Sequence, residues 1–117
     1  MSEILHHAMN LQPEPFEMIR SGRKTIELRL YDEKRQRIRP GDRITFTNSA
    51  TGETLDTRVL VLHRFPDFAT LYRSLPLLEC GYTPENVDSA HPDDMARYYD
   101  PAEQQLFGVV GIRLTLL

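Results

Sequence analysis

From Thr25 to Tyr31 the polar and apolar residues alternate without a break. Ile26, Leu28 and Leu30 share one parity, and Thr25, Glu27, Arg29 and Tyr31 share the other. A period of two predicts a β-strand with one apolar and one polar face, so Glu27 and Arg29 project to the same side. Lys24 has the opposite parity, but it follows Gly22 at the strand mouth, where the backbone need not yet be regular. Two readings of Lys24, Glu27 and Arg29 stand. One is a solvated strand face whose exposed ion pair contributes about 0–1 kcal/mol. The other is a small polar site, in which Lys24 and Arg29 hold an anion or a carbonyl and Glu27 accepts or moves a proton.

The flanking chain predicts short elements around this strand. Ile4, Leu5, Met9 and Leu11 outline a first strand over Glu3 to Leu11. His6 and His7 are adjacent in it and point to opposite faces, which does not suit shared metal ligation. Pro13-Glu14-Pro15, Phe16 and Ile19, closed by Gly22, outline a short helix with Phe16 and Ile19 on one face. Pro40-Gly41-Asp42 is a turn, and Ile44 and Phe46 form the apolar face of a strand over Arg43 to Thr47. Glu53 to Phe65 is a long strand with Leu55, Thr57, Val59, Val61 and His63 on one side and Leu60 and Leu62 on the other, which implies a bend or cover on both faces. Its His63 suits packing or hydrogen bonding better than catalysis.

Asp67 caps a helix that buries Phe68, Leu71, Tyr72 and Leu75. Pro76 to Ala90 is a loop and a candidate lid. His91 to Tyr99 is expected to be a helix, and Asp100-Pro101-Ala102-Glu103 opens another, with Glu103 at the capping-box position. Gly108 to Leu116 is a final strand inside the sheet. About five or six mostly antiparallel strands with helices inserted at the ends predict a mixed α+β fold, a small β-barrel spanning residues 1–117 as one domain.

Charge distribution bears on partners. Net charge is −3 over 117 residues. Between Arg20 and Arg43, nine basic residues face four acids, a local +5 that leaves −8 elsewhere. Such a patch can attract phosphate while distant surface stays acidic, because screening acts over about 8 Å. It is equally a charged, solvated loop. No apolar run approaches the roughly 20 residues of a membrane span, and no signal peptide is evident. A lone cysteine, Cys80, excludes an internal disulfide and suits a reducing cytoplasm; next to Leu77 and Leu78 it reads as a packing residue.

The chain has no zinc-ligand spacing, no phosphate-binding glycine loop and no serine-nucleophile motif, so no metal or cofactor is expected. Lys24 is a candidate base or electrostatic clamp, Glu27 a candidate proton carrier, and Arg29 a planar fork for phosphate or carboxylate. Lys24 and Glu27 are thus the candidate catalytic residues. Tyr98 and Tyr99 offer rings for stacking on a base, or one packs in the core while the other lies on the surface.

Gly22-x-Lys24-x-x-Glu27-x-Arg29 matches the signature Gly-x-Lys-x-x-Glu-x-Arg of the ASCH family. The Pro-Phe helix, Gly41-Asp42, Tyr98-Tyr99 and the final Gly-Val-Val-Gly-Ile strand fall in that family's order. The chain therefore resembles ASCH domains, which are related to PUA RNA-binding domains. The resemblance implies a PUA-like fold and a binding module for RNA, a nucleotide or a modified nucleoside, with Lys24, Glu27, Arg29, Tyr98 and Tyr99 at its cleft.

It also implies an alternative, a hydrolase, since some ASCH-like proteins are amidohydrolases on acetylated cytidine and others have been described as ribonucleases. In the amidohydrolase group the lysine is kept and a threonine stands where this chain has Glu27; Thr25 is not at that position. That group also uses a carboxylate from the second half, for which Asp93, Asp94 and Glu103 are candidates.

Overall fold

The computed structural model describes residues 3–117. Its strands are β1 (His6–Leu11), β2 (Ile26–Leu30), β3 (Arg43–Asn48), β4 (Thr54–Phe65) and β5 (Val109–Leu116). They form one sheet in the order β1-β3-β4-β5-β2, curled into a half-barrel. β1 runs parallel to β3, and the other three pairings are antiparallel. This is the mixed α+β, PUA-like architecture expected from the sequence. β1 and β2 are the two edges, so the seam between them is not closed by backbone pairing.

Each face of the sheet buries its own core. Met9, Leu11, Ile44, Phe46, Val59, Val110 and Ile112 meet on one side, with Phe16 and Ile19 of helix α1 (Pro13–Arg20) packed among them. On the other side Ile26, Leu28, Leu30 and Val109 pack against Phe68, Leu71 and Tyr72 of helix α2 (Phe68–Ser74). Full burial of such a side chain stabilises by about 1.5–3 kcal/mol relative to exposure. Asp67 caps α2 as expected, accepting from the Thr70 amide at 2.7 Å.

The change of parity in the long strand has a local cause. β4 pairs Val59 with Leu114 and then Val61 with Arg113, so a bulge falls at Leu60. Thr57 and Val59 point inward before it, whereas Leu60 and Val61 are exposed. An extra residue in one strand bends it and re-aims the side chains beyond the bulge. Asp42 fixes the preceding turn. Its buried carboxylate accepts from the Leu5 amide at 3.2 Å, the Arg39 amide at 3.0 Å and His7 Nε2 at 2.9 Å. Burial pushes its carboxyl up, but these donors win and hold it below the usual range.

One expectation is sharpened and two are corrected. The helix expected over His91 to Tyr99 is a 3₁₀ helix over Pro92–Arg97. Its start is fixed reciprocally: His91 Nδ1 accepts from the Asp93 amide and Asp94 accepts from the His91 amide, both at 3.1 Å. The region from Pro76 to Ala90 is not a free lid. It holds 3₁₀ turns at Leu77–Cys80 and Val87–Ser89, buries Cys80, and is tied to the mouth of β2 where the Thr25 amide donates to the Glu79 carbonyl at 2.9 Å. Helix α3 (Pro101–Phe107) is capped by Asp100, which accepts from the Ala102 amide at 2.8 Å, while Glu103 stays exposed and makes no capping-box bond.

Candidate functional site

The polar face of β2 lies under cover, not in solvent. Glu27 is only 4% exposed, because β2 sits opposite Ile112 and Val110 of β5 on that face and Lys24 closes over it. The solvated-face reading is thereby removed. Lys24 precedes the regular strand, and its amide bonds to the Met18 carbonyl at 3.0 Å, so the chain enters from the end of α1. That irregular entry lets Lys24 reach the Glu27 side despite its parity.

Glu27 is held between two cations. Lys24 Nζ lies 2.7 Å from its Oε1, and Arg29 Nη2 lies 2.7 Å from its Oε2. Arg29 Nε also donates to Oε2 at 2.9 Å. Burial alone would raise the Glu27 carboxyl, but Lys24 and then Arg29 outweigh it and hold the group below the usual carboxylate range. Arg29 in turn is pulled down by burial, but Glu27, Tyr99 and Asp32 together hold it above its usual value. Its Nη2 donates to the Asn10 carbonyl on β1 at 3.0 Å. A single guanidinium therefore spans the seam between the two edge strands.

Beside this cluster opens a cavity of about 690 Å³, lined by Lys24, Glu27, Arg29, Tyr72, Tyr82, Asp94, Tyr98 and Tyr99 among others. This is within the range of small-ligand sites, about 300–1,000 Å³. All five residues expected at the cleft thus border one space. The two tyrosines differ. Tyr98 is 63% exposed at the rim. Tyr99 stacks on Phe68, with ring centroids 6.1 Å apart, and packs against the second core.

Of the second-half carboxylates only Asp94 lines the cavity; the Asp93 side chain is in solvent, and exposed Glu103 does not border the space. His63 is half-buried away from the cavity lining, 3.4 Å from Arg113 Nε, and burial followed by that guanidinium holds its pKa below the usual value. Among the described residues no group of three or more His, Cys, Asp or Glu side chains could hold a metal ion. No helix among them is long and apolar enough to cross a membrane.

A second polar group in the lining was not anticipated. Tyr72 and Tyr82 hydroxyls lie 2.6 Å apart, and Tyr82 donates to Asp94 Oδ2 at 2.7 Å. These residues come from α2, a loop and a 3₁₀ helix, and no local pattern links them. Gly81 was missed too. Its φ of +114° suits glycine, and a Cβ there would lie 3.4 Å from Lys24 Cδ, so its bare backbone packs along the Lys24 stem. Cys80 borders the cavity as a buried thiol pushed up to about 11, chiefly by burial, in keeping with a packing role.

The fold has solved counterparts. The crystal structure of the hypothetical protein PH0355 superposes with a TM-score of 0.78 at 31% identity, covering 97% of this chain and 100% of that one. The solution structure of protein PF0455 from Pyrococcus furiosus gives a TM-score of 0.74 at 32% identity, covering 97% and 98%. ASCH from Zymomonas mobilis shares the fold at 18% identity, with a TM-score of 0.61 over 94% of this chain and 66% of that one. No curated protein matches the chain in sequence. The family model described as "ASCH domain" matches residues 9–117.

Proposed function

The chain belongs to the ASCH domain family, and from that premise we propose that it is an RNA-binding module whose cavity holds one nucleotide unit of the bound strand. The observation that carries this is the buried Lys24–Glu27–Arg29 cluster lining a cavity of about 690 Å³ that exposed Tyr98 also borders. Two cations against one carboxylate leave a surplus positive charge, which favours a phosphate or a base carbonyl. Glu27 serves as the strut that orients both donors. Lys24 keeps ammonium hydrogens for a ligand beyond the one it shares with Glu27. Tyr98 offers a ring face to a base, and such stacking contributes about 1–3 kcal/mol per base.

Binding is favoured over hydrolysis by the chemistry of the donor set. Glu27 occupies the position where an amidohydrolase of this family would carry a hydroxyl. The neighbouring Thr25 hydroxyl is spent on Glu79 Oε1 at 2.9 Å. A carboxylate held ionised by two cations is a weak proton donor at neutral pH. The lone cysteine, buried and protonated, suits a reducing compartment such as the cytoplasm.

Titration of the protein with short single-stranded RNAs, followed by fluorescence anisotropy, tests the proposal. Saturable binding that weakens steeply with salt is expected. Parallel incubation with RNA and with acetylcytidine is expected to give no product. Turnover abolished by Lys24→Ala would replace the binding module with the hydrolase.

A further inference from the structure

The cavity wall formed by Tyr72, Tyr82 and Asp94 has a definite hydrogen-bond polarity. Asp94 is held ionised by the Tyr82 hydroxyl and by the His91 amide. A carboxylate only accepts, so the single Tyr82 proton points to Asp94 Oδ2 at 2.7 Å. With that proton committed, the 2.6 Å contact between the two phenols has one direction: Tyr72 donates to the Tyr82 oxygen. Tyr72 then has no proton left. The lone pairs left on Tyr72, Tyr82 and Asp94 are the hydrogen-bonding capacity these three residues offer, and every one of them is an acceptor. Burial raises both tyrosines above their ordinary pKa, and for Tyr82 the hydrogen bonds to Tyr72 and Asp94 add to it, so neither phenol gives up its proton near neutrality. Lys24 and Arg29, which line the same cavity, carry donors.

A cavity lined by a donor cluster and by an acceptor cluster sorts its guests. Resting on the nucleotide-binding reading above, we infer that Tyr72, Tyr82 and Asp94 form a specificity relay that selects bases bearing an exocyclic amino group over those bearing a carbonyl in its place. An amino group gives its hydrogens to Tyr72 and Asp94. A carbonyl oxygen set there meets only oxygen lone pairs, and both sides lose their hydrogen bonds to water without replacement.

The test compares two matched pairs of ribonucleoside monophosphates by calorimetric titration: cytidine against uridine, and adenosine against inosine. Within each pair the exchange is amino for carbonyl at nearly constant size. Wild-type protein is expected to prefer the amino member of at least one pair by about tenfold or more. Tyr82→Phe removes the middle of the relay and frees the Tyr72 proton to turn into the cavity, so the ratio should fall towards unity. Tyr72→Phe deletes the acceptor and should do the same. Asp94→Asn, which introduces an amide donor, gives a third reading should either tyrosine variant fail to fold, as judged by circular dichroism. Binding of both members with equal affinity would overturn the relay and leave nucleotide binding standing. A preference that survives in every folded variant would also overturn it. Absence of binding by any nucleotide, with no binding of short RNAs either, would remove both.

Discussion

Glu27→Gln is the most informative single perturbation. The substitution keeps the shape of the side chain and removes its charge, leaving Lys24 and Arg29 facing each other across a neutral amide. Side-chain exposures of 5% for Glu27, 10% for Lys24 and 13% for Arg29 put the cluster with buried pairs, for which removing one partner costs about 3–5 kcal/mol. Gln still accepts one hydrogen bond, so about 3 kcal/mol is expected. For a chain of this length that corresponds to a fall in Tm of roughly 10–15 °C. Urea unfolding monitored by circular dichroism measures it.

The pH profile sharpens the test. Because the folded Glu27 carboxyl lies below its unfolded value, its contribution is present above the unfolded pKa of about 4.3 and is lost as pH falls through the folded one. The variant should therefore show a shallower acid limb than wild type. The triple replacement Lys24→Met, Glu27→Leu, Arg29→Met removes all three charges and should restore stability to within about 1 kcal/mol of wild type, while abolishing RNA binding. A Glu27→Gln variant within about 0.5 kcal/mol of wild type, roughly the scatter of surface substitutions, with the same acid limb would refute the claim that this carboxylate is the buried strut of the site.

Two further variants separate fold from function. Tyr98→Ala, at an exposed rim position, should leave urea stability within about 0.5 kcal/mol of wild type and weaken short-RNA binding about tenfold in anisotropy titrations. Gly81→Ala places a side chain at a φ of +114° and should cost about 1–2 kcal/mol in thermal or urea unfolding. Its new methyl would meet the Lys24 stem at ordinary contact distance, so the Lys24–Glu27 pair should persist and its crystal structure should show it.

The sequence was most legible where a local rule sufficed. The alternation over β2, the Phe16–Ile19 face of α1, and the caps supplied by Asp67 and Asp100 all depend on near neighbours. Lys24, Glu27 and Arg29 could be proposed as one site because they lie close in the chain. That their polar face is covered was not legible, since alternation separates two faces without saying which one meets solvent. The parallel pairing of β1 with β3 was equally hidden, because it joins residues far apart in sequence with no turn between them. The Tyr72–Tyr82–Asp94 chain escaped for the same reason: three elements must fold before its atoms meet. That the helix after His91 runs as 3₁₀ was not legible, because a cap signal marks where a helical turn begins, not whether it continues as α or 3₁₀.

Nuclear magnetic resonance titration of isotopically labelled protein with a short single-stranded RNA addresses the cavity most directly. Binding there should shift the amides of Lys24, Glu27, Gly81, Tyr98 and Tyr99 and the Arg29 side-chain resonance together, with one saturation curve. Shifts confined to the exposed basic stretch around Lys34, Arg37 and Arg39, with the cavity resonances unmoved, would contradict it.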